Sequence, residues 1–198
     1  MKPFSSIQNK SLVEKYKGFI VGASEDGVLY VSQKKNAYIL EIEQDNKDWL
    51  EEVKEAFYFA YNKNCRIDLK KSGYFRLSCY SKKVYYDLLE TRKNPSGILK
   101  ESNDFKIGFL QGIFDAEGSV HNQRLSIRFY SKKQKLITLV MKLLKEIKIT
   151  TGKAYVDKRN NVIMLPIYGK NNLKLFQQKV NFNHIHKEYR LKNLLRES

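Results

Sequence analysis

Apolar residues recur at three- and four-residue intervals in several segments, the spacing that places their side chains on one face of an α-helix. The clearest case lies between Lys135 and Lys148, where this face carries Leu136, Leu139, Val140, Leu143, Leu144 and Ile147. A similar face is formed by Trp49, Val53, Ala56, Phe57 and Ala60. We therefore predict helices over Lys135–Lys148, Asp48–Asn62, Lys82–Lys93, Asn171–Val180 and His184–Arg196.

Other segments alternate between apolar and polar residues, as β-strands do when one face is buried. Between Arg124 and Tyr130, the side chains of Leu125, Ile127 and Phe129 would point one way and the remaining four the other. The predicted strands are Val28–Gln33, Tyr38–Gln44, Cys65–Lys70, Tyr74–Tyr80, Ser119–Asn122, Arg124–Tyr130, Lys153–Arg159 and Val162–Tyr168.

A glycine-bearing segment occurs twice in the chain. Residues Gly18–Gly22 recur as Gly108–Gly112, and each copy is followed by an acidic stretch that ends in a glycine, Gly27 or Gly118. The elements that follow the two copies match in type and order. The sequence therefore predicts an α+β protein with two pseudo-symmetric halves, each ordered helix, two strands, helix, two strands, helix (αββαββα).

Turn-forming residues, Asn94-Pro95-Ser96-Gly97, mark the boundary between the two halves. We predict a first half over residues 11–93, with its glycine-bearing segment at 18–27, and a linker over residues 94–104. The second half covers residues 105–198, with its matching segment at 109–118 and an additional C-terminal helix.

The chain carries 37 Lys and Arg residues against 21 Asp and Glu residues, a formal net charge of +16. This excess indicates a polyanionic partner such as DNA, RNA or an anionic membrane surface. No apolar run is long enough to span a bilayer, and the first ten residues lack the apolar core of a secretory signal. We therefore expect an intracellular, cytoplasmic protein with no membrane partner. The cysteines and histidines lack zinc-site spacing.

Charged and aromatic residues share one face of the predicted strands in both halves. A small core can cover only one face of each sheet, so this face is available to nucleic acid. Residues 1–100 carry 18 basic and 13 acidic residues (+5), residues 101–198 carry 19 and 8 (+11), and Glu41 and Glu43 add negative charge to the first face. The candidate DNA-binding residues are Arg66, Lys70, Arg76, Arg124, Ser126, Arg128, Lys153, Tyr155 and Arg159.

Small residues form a stripe along each glycine-bearing helix. Gly108, Gly112 and Ala116 are four residues apart, as are Gly18 and Gly22. Glycine inside a helix is about 1 kcal/mol less favourable than alanine, and close packing against a second helix offsets that loss. We therefore expect the two helices to pack together through these stripes.

Each glycine-bearing helix is predicted to end with a carboxylate, Asp26 in the first half and Glu117 in the second. The negative end of a helix dipole disfavours a carboxylate by about 0.3–1 kcal/mol. A divalent cation between the two ends makes the electrostatic free energy of the carboxylates favourable instead. Asp26 and Glu117 are therefore the predicted metal ligands. Glu25 remains an alternative, because Gly22 stands four residues before Asp26 while Gly112 stands five before Glu117.

Residues Phe109–Gly118 closely resemble the LAGLIDADG motif. The first, third, sixth, seventh, eighth and ninth motif positions are occupied by Leu110, Gly112, Asp115, Ala116, Glu117 and Gly118. Residues Tyr16–Gly27 resemble a weaker copy, and with the repeated strand pattern the resemblance covers nearly the whole chain. The sequence is thus similar to the monomeric, two-motif members of the LAGLIDADG homing-endonuclease family.

This resemblance implies a saddle-shaped sheet surface over double-stranded DNA and a monomer that hydrolyses both strands of a long, specific site. It implies Mg²⁺ as the cofactor, with Mn²⁺ as a substitute. It also implies lysines near the scissile phosphates, for which Lys82 and Lys170 are candidates, and a polar residue near the metal, for which Gln44 is the candidate. With Asp26 and Glu117 these residues form the predicted catalytic set.

The competing hypothesis is the same fold used to bind nucleic acid without cleavage, as in maturases or LAGLIDADG-fold regulators. The imperfect first motif and the acidic residues Glu41 and Glu43 favour it.

Overall fold

The computed structural model describes residues 6–158 and 160–196. Within them the helices are α1 (Ser6–Ala23), α2 (Lys47–Tyr61), α3 (Lys82–Lys93), α4 (Asn103–Glu117), α5 (Gln134–Glu146), α6 (Lys170–Lys179) and α7 (Ile185–Arg196). The strands are β1 (Val28–Ser32), β2 (Ala37–Gln44), β3 (Arg66–Leu69), β4 (Phe75–Tyr80), β5 (Gly118–His121), β6 (Ser126–Ser131), β7 (Tyr155–Asp157) and β8 (Val162–Tyr168). No helix in these residues is long and apolar enough to cross a membrane.

Each half contributes one four-stranded antiparallel sheet, and the two sheets have the same topology. Their strand orders are β1-β2-β4-β3 and β5-β6-β8-β7. Each sheet is flanked in sequence by equivalent helices, and α7 is an addition to the second half. The predicted α+β fold of two pseudo-symmetric αββαββα halves is therefore confirmed.

The helices cover one face of each sheet and leave the other open. Helices α2 and α3 contact the first sheet, and α5 and α6 contact the second. On β6, Ile127 and Phe129 are fully buried, whereas Arg128 and Tyr130 on the opposite face are partly exposed. This alternation follows the predicted pattern and places the polar side chains on the open face.

Helices α1 and α4 pack side by side through their glycines. A Cβ atom on Gly22 would overlap the backbone of Phe109 and Ile113 in α4, and one on Gly112 would overlap the backbone of Phe19 in α1. The two backbones therefore approach more closely than any larger residue permits. The predicted packing of the two glycine-bearing helices is confirmed.

Side-chain caps fix where several helices begin. Asn46, Ser81 and Ser102 each accept a hydrogen bond from the backbone N–H three residues on, at the starts of α2, α3 and α4. These caps satisfy N–H groups that have no partner within the helix. Asn62 follows α2 in a left-handed conformation with φ of 50°, which ends that helix within one residue of its prediction.

The predicted linker over residues 94–104 is structured instead. Pro95–Lys100 form a 3-10 helix, and α4 begins at Asn103. Ile98 is only 3% exposed, because the 3-10 helix packs against α3, α4 and α5. Proline and glycine signalled the turn correctly, but no local pattern showed that Ile98 enters the core.

The connection between β5 and β6 also differs from the prediction. Asn122–Arg124 form a short 3-10 turn, and Leu125 has a left-handed φ of 41°. The predicted strands left one residue between them, whereas a hairpin loop needs at least two. Arg124 therefore lies in the turn rather than in a strand. On the other side of the second sheet, β7 covers only Tyr155–Asp157.

Candidate functional site

The two motif helices end differently, which explains the unequal spacing of their acids. Helix α4 continues to Glu117, while α1 ends at Ala23 and is followed by a turn closed by a hydrogen bond from Gly27 N to Ser24 O at 2.8 Å. The glycines nevertheless pack in equivalent positions. The missing residue is thus accommodated in the turn after α1, and not by a different register of the two helices.

Asp26 and Glu117 lie within hydrogen-bonding distance of each other at the paired helix ends. The pKa of Glu117 is raised to about 8, first by burial and then by the neighbouring Asp26, while Lys187 and Lys133 oppose the shift. Two close carboxylates resist simultaneous ionisation. In the absence of a cation, the pair therefore retains a proton near neutral pH.

Glu25, the alternative first-half acid, is engaged elsewhere. Its carboxylate accepts from Lys133 Nζ at 2.9 Å, and its side chain is only 10% exposed. Lys133 lies just before α5 in the second half, so this ion pair bridges the two halves. The geometry thus favours Asp26 over Glu25 as the partner of Glu117.

A partly buried cation binds backbone carbonyls at the end of each motif helix. Arg92, from α3, donates to Ser24 O and to Gly27 O, the latter at 2.8 Å. Lys187, from α7, donates to the carbonyl of Asp115, and those of Phe114 and Ala116 lie 3.4 and 3.5 Å away. Both cations satisfy carbonyls at a helix C-terminus and balance its negative dipole.

Asp115 of the motif is a structural residue in this arrangement. Its buried carboxylate accepts from the backbone N–H groups of Asn183 and His184, at 3.2 and 3.1 Å. Burial raises the pKa of Asp115 to about 7, against the opposing effect of His184 N–H and Lys187. Asp115 therefore ties the start of α7 to the end of α4 and brings Lys187 beside Glu117.

The predicted lysines are not near this carboxylate pair. Lys82 Nζ lies 5.6 Å from the centroid of the Tyr38 ring, at the start of β2, and Asp26 is near the other end of that strand, roughly 17–20 Å away along it. Lys170 begins α6 after Tyr168, which pairs with Ser126 at the end of β6 remote from Glu117. The structure instead places Lys187 and Lys133 close to Glu117.

Gln44 occupies the end of β2 that approaches α7. The charge of the next residue, Asp45, acts on both Lys187 and His184. The role of Gln44 beside a metal ion stays a prediction.

The carboxylate pair by itself offers fewer side-chain ligands than a complete metal site. Within residues 6–158 and 160–196, no group of three or more His, Cys, Asp or Glu side chains could hold a metal ion. Asp26 and Glu117 supply two carboxylates beside a cavity of about 480 Å³, which Lys132 and Lys133 also line. Mg²⁺ typically takes one or two carboxylates and draws its remaining ligands from water and phosphate oxygens. The residues present fit such an ion.

The open face of the first sheet carries an ion-pair network formed by Arg66, Asp68, Lys70, Arg76, Glu41 and Glu43. Arg76 contacts Glu43 at 2.6 Å and Glu41 at 3.3 Å, and Lys70 contacts Glu43 at 3.0 Å. Arg66 pairs with Asp68 at 2.6 Å. All three predicted DNA-binding cations of this face are thus paired with acids of the same face.

The open face of the second sheet is different. Arg128 is half-buried with its Nε atom unpartnered among the described residues, and Lys153 and Tyr155 are exposed. Arg124 is exposed in the turn before β6. Ser126 is fully buried beside His121 and Tyr168, its register neighbours, so its prediction as an exposed contact is wrong. Arg159 lies outside the described residues.

Family models match both halves of the chain. A WhiA LAGLIDADG-like domain matches residues 17–100, and a LAGLIDADG-like domain matches residues 104–181. A further relative, glutamine–fructose-6-phosphate aminotransferase (isomerizing) of Methanocaldococcus jannaschii, is 23% identical over 171 residues. The match covers 79% of this chain but 16% of that protein, so the chain spans about a sixth of its relative.

Two groups of solved structures share the fold. The structure of I-DmoI in complex with DNA and Mn has a TM-score of 0.71 and 22% identity, covering 85% of this chain and 97% of that one. Full-length DUF199/WhiA from Thermatoga maritima has a TM-score of 0.65 and 17% identity, covering 99% of this chain and 62% of that one. With two matched motifs, two sheets of one topology and glycine-packed motif helices, the chain belongs to the LAGLIDADG family as a member with two motifs.

Proposed function

We propose that the protein is a site-specific endonuclease that cuts both strands of duplex DNA with the help of a divalent metal ion, as homing endonucleases do. The observation that carries this proposal is the juxtaposition of Asp26 and Glu117 at the ends of two packed helices. Two close carboxylates that share a proton, Glu117 half-buried and Asp26 exposed, form a poor structural contact and a suitable cation site.

Asp26 and Glu117 would hold Mg²⁺ or Mn²⁺, which when bound lowers the pKa of a water molecule and stabilises a leaving phosphate oxygen. Other residues of the protein hold the two helix ends, and so the two carboxylates, in position. Arg92 and Lys187 hold the ends of α1 and α4 through their carbonyls, and Asp115 fixes α7 in place. Lys187 and Lys133 add positive charge beside the pair, where a phosphodiester would approach.

DNA would lie along the open faces of the two sheets, one half-site on each. The pseudo-symmetric halves supply both motifs, so one chain suffices as a monomer. Support comes from the shared fold with I-DmoI, whose structure was determined with DNA and Mn. The protein would act inside the cell, where duplex DNA is found.

The decisive experiment measures cleavage and binding separately. Glu117→Gln keeps the size of the side chain and removes its charge. Cleavage with Mg²⁺ or Mn²⁺ should fall below detection on a plasmid carrying the target, while duplex binding in Ca²⁺ should remain within about threefold, since binding rests on the sheet faces. Asp104→Asn removes a carboxylate at the other end of α4 and should leave both unchanged.

A second function is favoured by two observations: the first half matches the WhiA-type model, and the cations of its open face are neutralised by acids. In this alternative the protein binds nucleic acid without cutting it. Wild-type protein that binds its site tightly yet leaves it intact in Mg²⁺ and in Mn²⁺ would establish that function in place of the endonuclease.

A further inference from the structure

A polar pocket opens beside the second sheet, and neither Asp26 nor Glu117 lines it. Its volume is about 450 Å³, and it is lined by Val120, His121, Asn122, Arg128 and Arg190. These residues come from β5, the turn after it, β6 and the C-terminal helix α7, which packs against β5. Arg190 therefore comes from α7, a helix with no counterpart in the described part of the first half.

The pocket concentrates positive charge without a compensating acid. Two guanidinium groups, those of Arg128 and Arg190, face it, and no carboxylate lines it in the described parts of the chain. The Nε atom of Arg128 is buried without a hydrogen-bond partner there. A buried, unpaired donor on a cation is unfavourable unless an acceptor from outside completes it.

His121 provides a third group on the same pocket. Its Nε2 atom is 3.2 Å from the Tyr130 hydroxyl, so the ring is held at the edge of the pocket that His121 lines. Burial lowers the pKa of His121, and the charges of Arg128 and Arg190 lower it further. An anion between these groups would relieve this repulsion.

The first sheet shows how unusual this arrangement is within the molecule. There, every cation of the ion-pair network on the open face has a carboxylate partner within 3.3 Å. The open face of the first sheet thus pairs Arg66, Lys70 and Arg76 with acids, whereas Arg128 and Arg190 line a pocket that no carboxylate of the described residues lines.

We propose that Arg128, Arg190 and His121 form an oxyanion site that binds a backbone phosphate of DNA beside the second sheet. Planar guanidinium groups match the oxygens of a phosphate through paired hydrogen bonds. The inference rests on the proposed DNA binding and adds a residue of α7, Arg190, to the DNA-binding surface. The site fixes the position of the duplex without reading its sequence.

The test compares two single-charge variants of the same helix, Arg190→Gln and Arg196→Gln, the latter at the exposed end of α7. Binding of a duplex of unrelated sequence is measured by fluorescence anisotropy from 50 to 200 mM salt. Arg190→Gln should weaken binding roughly tenfold at the lowest salt and reduce the slope of log affinity against log salt by about 0.9, the value of one lost phosphate contact. Melting curves confirm that both variants fold.

Inorganic phosphate is the second probe, followed through the ring-proton shifts of His121 by NMR. Phosphate should shift these signals in the wild type and in Arg196→Gln, but not in Arg190→Gln. If Arg190→Gln loses the phosphate response yet binds DNA as Arg196→Gln does, the pocket takes a free anion and the assignment to DNA is overturned. If neither probe distinguishes the variants, the pocket is not an anion site, although the proposed function stands. If wild-type protein does not bind duplex DNA, the proposed function itself is wrong.

Discussion

Glu117 is a carboxyl group whose surroundings oppose its ionisation. It is half-buried, it lies at the negative end of α4, and Asp26 is within hydrogen-bonding distance. Lys187 and Lys133 offset these effects only in part, so the pKa of Glu117 remains raised to about 8. Proton and divalent cation should therefore compete for the same pair of side chains.

This competition predicts a pH-dependent stability of the metal-free protein. In the unfolded chain Glu117 ionises near pH 4.5, whereas in the folded protein it does so near pH 8. The stabilisation of the folded protein by the protonated Glu117 is fully present below pH 4.5 and is lost as the pH rises towards 8. In a chelating buffer, the Tm of the wild type should fall more steeply between pH 5 and pH 8 than that of Glu117→Gln. Parallel curves of Tm against pH would show that folding does not raise the pKa of Glu117.

The partner acid is tested by a pair of matched substitutions. Asp26→Asn should abolish double-strand cleavage, because Asp26 contacts Glu117. Glu25→Gln should retain cleavage within about tenfold and lower stability slightly, since it removes one ion pair with Lys133. Plasmid linearisation and melting curves are the measurements. The reverse pattern, a tolerated Asp26→Asn and an inactive Glu25→Gln, would assign the role to Glu25.

At this scale the sequence predicted the acids but not their supporting cations. Asp26 and Glu117 stand in the two copies of the motif. Helix periodicity places Glu117 at the end of α4, whereas Asp26 lies in the turn after α1. Arg92 binds at the end of α1 and Lys187 at the end of α4, and each is about 70 positions away along the chain from the carbonyl that it contacts. Among 37 Lys and Arg residues no local pattern distinguishes these two, because burial against a distant helix end is a tertiary property.

At the scale of elements, the contact between α1 and α4 organises the site. Glycines four residues apart predicted this contact because only close helix packing compensates for their low helix propensity. The turn after α1 was less predictable. This turn brings Asp26 to Glu117 across the contact between the two helices, a tertiary relation that no pattern along the chain records. Similarly, the place of α7 depends on Asp115 and was not evident from its amphipathic pattern.

The glycine contact gives a stability prediction. Gly112→Ala would place a Cβ atom against the backbone of Phe19, which no side-chain rotation relieves. We expect a loss of roughly 2–3 kcal/mol in the free energy of unfolding, together with loss of cleavage as the helix ends separate. Gly97→Ala is the control, since its Cβ would meet nothing closer than the Asn94 side chain at 3.8 Å. Denaturant titration measures both; equal stabilities would mean that the helices can separate without loss.

At the scale of the whole molecule, the two halves share a topology but not an electrostatic character. The sequence predicted the topology because each element keeps its periodicity in both copies, and it predicted the direction of the charge difference from the counts of each half. It could not show that Glu43 lies between Lys70 and Arg76, since those contacts depend on strand register. The ion-pair network leaves the first half with weaker attraction for phosphates than its number of cations suggests.

Releasing those cations should strengthen non-specific binding. Glu43→Gln removes the partner of Lys70 and one of the two partners of Arg76. Affinity for a duplex of unrelated sequence should rise about threefold to tenfold at low salt, and the salt slope should steepen by about one unit, because one more phosphate can be neutralised. Glu146→Gln changes the net charge equally but frees Lys106 on the helical side of the molecule. A smaller gain in DNA affinity for Glu146→Gln would show that the location of the released cation, and not the net charge, determines binding. If the two variants gain affinity equally, DNA does not lie on the open face of the first sheet, and the two-sheet surface proposed for the duplex must be abandoned.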